Sequence, residues 1–299
     1  MQLFYALNRD EELKYKDVDK IYSNWIKMSN DLFLLNICIV VKISELAVQD
    51  GQKRATKHLP SDVDKIFKPK LFENPIIQSI ANNAKLKSKY KALKFDDIIN
   101  TDYLSKIYDE FSKTEEYKKY LISDTTNKEH LEILLSLYRS CRANELFNEM
   151  LDDSYYNWFD DKSLIIGSFK KFLKAQPARD EFFDDFYPDK ETVEDFGRFL
   201  MKTCYDTDEE LSAKILPVIE NWDKERVAIL DMIMLKMALC EMIHCRTIPL
   251  KVTLNEYVEI SKKYSTPKSK DFINGVLDKL LQSLKEEGKI EKEGRGLLE

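Results

Sequence analysis

Glycine and proline are scarce, with 7 and 8 residues in a chain of 299. That supply is too small for the many tight turns of a sandwich or barrel. Long stretches rich in Lys, Glu, Leu, Asp and Ile run between the breakers, so the chain is expected to be all-α. Histidine is scarcer still: His58, His130 and His244 stand far apart. The five cysteines (Cys38, Cys141, Cys204, Cys240, Cys245) form neither a CxxC pair nor a His-supported zinc spacing. There is no Gly-rich phosphate loop, nucleophile elbow or HExxH. Neighbouring acids in Asp152-Asp153, Asp160-Asp161 and Asp184-Asp185 diverge on a helix and read as solvated surface. These absences predict a non-enzyme with no catalytic residue, no metal and no cofactor.

Long apolar runs are missing too. The most apolar stretch, residues 32–41, is bracketed by Asp31 and Lys42 and falls well short of the roughly 20 residues that span a bilayer. Arg9 and a run of acids follow the short apolar start, unlike a secretory signal. With scattered cysteines expected to stay reduced, this predicts a cytoplasmic protein without a membrane partner. A net charge of −6 argues against indiscriminate coating of RNA while leaving room for a local basic face.

What is present is helical periodicity. Ile21, Trp25, Met28, Leu32, Leu35, Val40, Ile43 and Leu46 recur at helical spacing over residues 18–47, and Asp50-Gly51 is read as the end of that helix. Lysines concentrate in residues 52–70 and again at Lys85, Lys87, Lys89, Lys91 and Lys94; spacing by two spreads the second group around a helix, which reads as solvated surface. Further helices are predicted over 75–90, 101–113, 115–122, 128–141, 144–151, 160–174, 191–203 and 208–222. The acidic, aromatic residues 179–190 read as a hinge or docking loop. Residues 226–243 are apolar nearly all round and predict a central buried helix. Leu254, Tyr257, Val258 and Ser261 mark an amphipathic helix, and Thr266-Pro267 reads as N-cap and first position of another, carrying Phe272, Ile273, Val276, Leu277, Leu280 and Leu284 inward.

Three ordered motifs in this last third resemble the NusB family. Pro249-Leu250-Lys251-Val252-Thr253-Leu254-Asn255-Glu256 is similar to its "P-x-K-V-x-I-N-E" element, and Phe272-Ile273-Asn274-Gly275-Val276-Leu277-Asp278-Lys279 to its "F-V-N-G-V-L-D-K". Upstream of both, Trp222, Arg226, Asp231, Leu235-Lys236-Met237-Ala238 and Glu241 resemble the family's preceding helix, and Gln2-Leu3-Phe4-Tyr5-Ala6-Leu7 resembles the end of the family's first helix, "Q-x-L-Y-A". The resemblance implies a NusB-like helical bundle of two packed helical subdomains with an extra helical insertion. Residues 1–47 would supply the N-terminal helices, with the first one truncated. Residues 48–220 would be the insertion, 221–285 a C-terminal three-helix bundle, and 286–299 a flexible tail. Asn255, Glu256 and Asn274 are expected to bond helix ends or interhelical loops.

The resemblance also implies a function: a transcription antitermination factor, an RNA-binding adaptor that pairs with the ribosomal protein NusE and binds boxA RNA of nascent ribosomal RNA transcripts. Its setting would be the antitermination complex of RNA polymerase. Partner-binding positions carried over are Tyr5, Asp231 and Phe272; RNA-binding positions are Gln2, Lys236 and Lys268. Lys236 replaces an Arg and loses its bidentate fork, and Lys268 stands where an acid is common. The Arg-rich leader of the family would lie ahead of Gln2, so either the natural start is upstream of Met1 or RNA is bound differently, through the lysines of the insertion. An RNA cytosine methyltransferase with a NusB-like module would need a Gly-rich cofactor loop and a Pro-Cys nucleophile, and neither occurs. The remaining alternative is a helical interaction scaffold that has lost RNA binding.

Overall fold

The computed structural model describes residues 1–176, 190–219 and 227–298. Every regular element among them is helical. The acidic, aromatic residues 179–189 and the motif residues Trp222 and Arg226 lie outside the described residues. Among the described residues no helix is long and apolar enough to cross a membrane. The chain divides into two units: Met1–Asn24 with Lys190–Glu299, and Trp25–Asp189.

The second unit is organised on α2 (Tyr15–Ala55). This helix runs through Asp50-Gly51, where the sequence reading ended it. A glycine inside a helix costs on the order of 1 kcal/mol. Here Arg54 Nε donates to Asp50 Oδ1 across the same turn at 2.9 Å, and Arg54 Nη1 also reaches Asp64 at 3.2 Å, so side-chain bonds carry the helix past Gly51. Leu32, Leu35, Ile39, Ile43 and Ala47 are fully buried, and Leu34, Ile37 and Val40 nearly so. A helix buried on all faces needs neighbours on all faces. α3 (Asp62–Ile66) meets α2 through the Arg54–Asp64 pair, and the core around α2 is shared by α4 (Pro75–Ala81), α5 (Ala84–Ala92), α6 (Phe95–Ile98), α7 (Thr101–Phe111), α8 (Glu115–Ile122), α9 (Asn127–Ala143), α10 (Glu145–Ser154) and α11 (Trp158–Lys174). Asn and Thr side chains start most of them: Asn74, Asn83, Asn100, Thr114 and Asn144 each accept a backbone N–H of the turn they open. The cap at Asn83 splits the helix predicted over 75–90 into α4 and α5.

The apolar part of α2 packs with Ile77, Phe111, Tyr138 and Trp158, which places the unit boundary inside α2 instead of after residue 47. One buried polar chain ties α2 to α9: Tyr138 Oη donates to Asn36 Oδ1 at 2.9 Å, and the Asn36 amide donates back to Leu32 O.

In the first unit, α1 (Gln2–Arg9) is followed by the start of α2, then by a π-helical segment Glu191–Arg198 continuing into α12 (Phe199–Asp206). Arg198 holds that segment by pairing with Asp19 and Glu194, and Tyr22 Oη donates to Val193 O at 2.8 Å. The rest is α13 (Asp208–Val218), α14 (Ile229–His244), α15 (Leu250–Tyr264) and α16 (Ser269–Glu286). Leu200, Cys204, Leu211 and Ile215 share one core with Leu235, Leu239, Ile273 and Leu277, so residues 190–218 belong with the C-terminal helices and not with the insertion, as a boundary at 220 had predicted.

The expected flexible tail folds back. Gly288 adopts φ +64° directly after α16, and Lys289 N–H donates to Leu284 O at 3.1 Å, a helix-ending turn that glycine makes without steric cost. Lys292 Nζ then donates to Cys245 O at 2.7 Å, and Glu293 N–H to Arg246 O at 3.0 Å, while Arg246 pairs with Glu291. A Cβ on Gly296 would overlap Arg246 O. Gly296→Ala is therefore expected to lift the tail: the amides of Glu293 and Gly296 should lose hydrogen-exchange protection while those of α16 keep theirs.

All five cysteines are buried and free. Burial pushes the Cys38, Cys141 and Cys245 thiols up to about 12, so none of these three is a thiolate nucleophile at neutral pH.

Candidate functional site

All six expected site residues lie in the first unit, and α14 positions most of the site. Asp231 sits in the first turn of α14, where a carboxylate suits the positive helix end. Expected at a partner surface, it is only 5% exposed. Ser265 Oγ donates to one carboxylate oxygen at 2.5 Å and Ser269 Oγ to the other at 2.7 Å. The two serine hydroxyls lie 2.9 Å apart, and Thr266 Oγ1 lies 2.8 Å from Ser269 Oγ. Asp231 is thus the hub that closes the turn between α15 and α16. It also moves the helix start: α16 begins at Ser269 instead of Pro267, and Thr266 bonds a side chain instead of capping a backbone N–H.

That turn presents Lys268 and Phe272. Lys268 is the exposed N-cap residue of α16. Phe272 follows one turn later, its N–H donating to Lys268 O at 3.3 Å, with the ring half-buried against the core. Tyr5 and Gln2 are on the exposed side of α1, whose Leu3 is buried. Arg9 donates to Tyr5 Oη at 3.3 Å, with its guanidinium 5.4 Å from the ring centroid. This exposed cation beside an aromatic was missed in the sequence reading; its i, i+4 spacing from Tyr5 was the available signal.

Lys236 faces elsewhere. Its ammonium pairs with Asp208 at 2.6 Å, and its side chain is 20% exposed. Together they edge a cavity of about 290 Å³ lined by Phe4, Leu7, Cys204, Ile233 and Met237. The structure therefore groups Asp231, Lys268 and Phe272 at one turn, and Lys236 with α1 at another place.

Glu241, further along α14, is the second buried acid. It accepts from Thr253 Oγ1 at 2.7 Å and Tyr257 Oη at 3.3 Å. Burial raises its carboxyl above the usual range, and the two hydroxyls partly offset the rise. The polar links between helices are made here and at Asp231, not by the residues expected to make them: Asn255 and Glu256 are exposed, and Asn274 bonds Asp278 along its own helix at 3.1 Å.

A model of the NusB family matches residues 169–282. The Transcription antitermination protein NusB of Salinibacter ruber is 38% identical over 107 residues, covering 36% of this chain and 67% of that protein. This chain belongs to the NusB family. The protein of the same name from Chloroherpeton thalassium is 35% identical over 107 residues, 36% of this chain and 51% of its own length. That from Pseudothermotoga lettingae is 39% identical over 95 residues, 32% of this chain and 67% of its own. No solved structure matches the chain. The family match takes in α12 to α15 and most of α16, so it contains the Asp231 turn and Glu241, and it starts well before the residue 220 at which the insertion was expected to end.

Proposed function

We propose that this chain acts in transcription antitermination as an RNA-binding adaptor, pairing with a NusE-type small-subunit ribosomal protein and engaging boxA RNA within the RNA polymerase antitermination complex. Family membership supports the general role, since the relatives are named for antitermination. The observation that carries the reading is the turn held by Asp231, which sets a half-buried aromatic, Phe272, one helical turn from an exposed cation, Lys268. An aromatic anchor beside a charge is a common build for a small protein interface. In this reading Asp231 acts on the partner through the turn it holds, Tyr5 supplies a second aromatic contact, and Gln2, Lys236 and Lys268 supply the RNA contacts.

The test is titration of fluorescent boxA RNA with the chain alone and with the NusE-type partner. Phe272→Ala is expected to weaken partner binding about tenfold or more. Lys268→Glu should weaken RNA binding at low salt and flatten its salt dependence, because one phosphate contact fewer releases fewer counterions. Lys236→Glu is a poor probe, since a new acid would face Asp208; Lys236→Gln isolates the cation. The scaffold alternative draws on the same ion pair, which neutralises an expected RNA contact. Partner binding without RNA affinity at any salt concentration would establish that alternative.

A further inference from the structure

The unit formed by residues 25–189 carries a pair of cations that no acid among the described residues neutralises. Arg142 lies in the last turn of α9, and Asn144 caps α10. Asn148, one turn into α10, donates its amide to Arg142 O at 3.1 Å and to Asn144 O at 2.7 Å. Its oxygen is thereby turned the other way and accepts from Lys162 Nζ at 2.9 Å and Trp158 Nε1 at 3.2 Å. The Lys162 ammonium lies 5.5 Å from the centroid of the buried Trp158 ring and 5.8 Å from that of Phe159, which is 55% exposed. Arg142 lies over Tyr138, its guanidinium 5.4 Å from the ring centroid.

Several cations of this unit meet acids, Lys42 with Asp96, Arg54 with Asp50 and Asp64, Lys57 with Asp64, and Lys118 with Glu115, while Lys70 is held by the carbonyls of Tyr120 and Ser123. Arg142 and Lys162 form no ion pair among the described residues, and Arg142 Nε is buried with no hydrogen-bond partner. Burial lowers the Lys162 ammonium first, and the nearby Arg142 charge lowers it further. The adjacent Asp161 is engaged on Ser29 and Asn157. Two like charges with no counter-ion among the described residues repel until an anion arrives.

We propose that Arg142, Lys162 and Phe159 form a contact for single-stranded RNA, in which one phosphate neutralises the two cations and a neighbouring base stacks on the exposed Phe159 ring. A cationic track with an aromatic platform is how single strands are held without sequence preference. Arg142 adds a planar fork suited to phosphate oxygens. Free phosphate needs only the cations; the ring beside them selects a ligand with a flat apolar face. The proposal rests on the reading that this chain binds RNA, and it adds a contact upstream of the residues matched to the family.

The experiment uses the full chain and fluorescein-labelled oligouridine, followed by anisotropy across a salt series. The double variant Arg142→Gln, Lys162→Gln should bind about tenfold more weakly and lower the salt slope by about 0.7, from the single phosphate the two cations share. Phe159→Ala should weaken binding about tenfold with the slope unchanged, whereas Phe159→Trp retains binding. Thermal unfolding by circular dichroism checks that each variant is folded. Photocrosslinking of 4-thiouridine RNA to the α11 peptide reads the contact in the unmutated chain. Wild-type affinity and slope in both variants, with boxA binding still weakened in Lys268→Glu, would overturn this contact and leave the family reading standing. No binding of oligouridine by the unmutated chain would overturn this contact alone; no binding of boxA RNA even with the NusE-type partner would overturn the family reading as well. A response of the double variant only toward a phosphopeptide or phosphatidylglycerol vesicles would also overturn it.

Discussion

Replacing Asp231 with alanine is expected to destabilise the α14–α16 assembly by about 3 kcal/mol, because two serine hydroxyls lose a charged acceptor at a buried site. Ser265 and Ser269 each donate to a different oxygen of this carboxylate. Removing the hub leaves both hydroxyls and the turn between them without a common anchor. Hydrogen exchange across residues 265–272 is the direct readout: opening should become easier there by the same amount, while α9 and α10 in the other unit are unaffected. Asp231→Asn keeps one acceptor oxygen and should lose about half as much. Partner affinity should follow stability in this series, since Asp231 is buried and holds Phe272 through the turn. Unchanged exchange in the alanine variant would show that the serines find other partners. Lost partner binding with unchanged exchange would instead make Asp231 a direct contact.

Glu241→Ala is expected to cost about 2–3 kcal/mol. It orphans the Tyr257 hydroxyl and leaves Thr253 Oγ1 only its long 3.5 Å bond to Pro249 O, each buried loss worth roughly 1–3 kcal/mol, less the relief from no longer burying a carboxylate. Thr253 is fully buried, and Tyr257 is 4% exposed. Denaturant unfolding monitored by exchange in α15 measures the loss. The sign of the pH dependence follows from the raised carboxyl of Glu241. A folded-state value above the unfolded one favours folding while the group is protonated. That contribution is complete below the ordinary carboxylate value and fades as the pH rises through the raised one. Wild type should therefore gain stability relative to Glu241→Gln as the pH falls through that window. A gap that stays constant with pH would mean that Glu241 titrates normally in the fold.

The last-third motifs were legible because they combine helical period with family spacing. Phe272, Ile273, Val276, Leu277 and Leu280 do line α16 as their periodicity predicts, and Ile273, Val276 and Leu277 are fully buried. Helices α7 to α11 also fall within a few residues of their predicted positions, since Asn and Thr caps mark their starts. Helix ends were read less well wherever a side chain from elsewhere intervened. The Arg54 bonds to Asp50 and Asp64 carry α2 past Gly51, and the Asp231 hub delays the start of α16. Polarity was misassigned for a related reason. Asn255, Glu256 and Asn274 look suited to interhelical bonds, yet the buried links are made by Asp231 and Glu241, which a linear pattern cannot tell from solvated acids.

Composition and periodicity by themselves determined an all-helical chain, and the motif spacing pointed to its family, because turn supply, cap chemistry and apolar period are local properties. Tertiary structure alone decided which acids are buried, where α2 passes from one unit to the other, and that the tail docks on Arg246 through Gly296. It alone also sets Lys162 beside Phe159 and leaves Arg142 and Lys162 without a counter-ion among the described residues. Each of these depends on contacts between residues distant in the chain, and burial and charge pairing are properties of such contacts, not of any window of sequence.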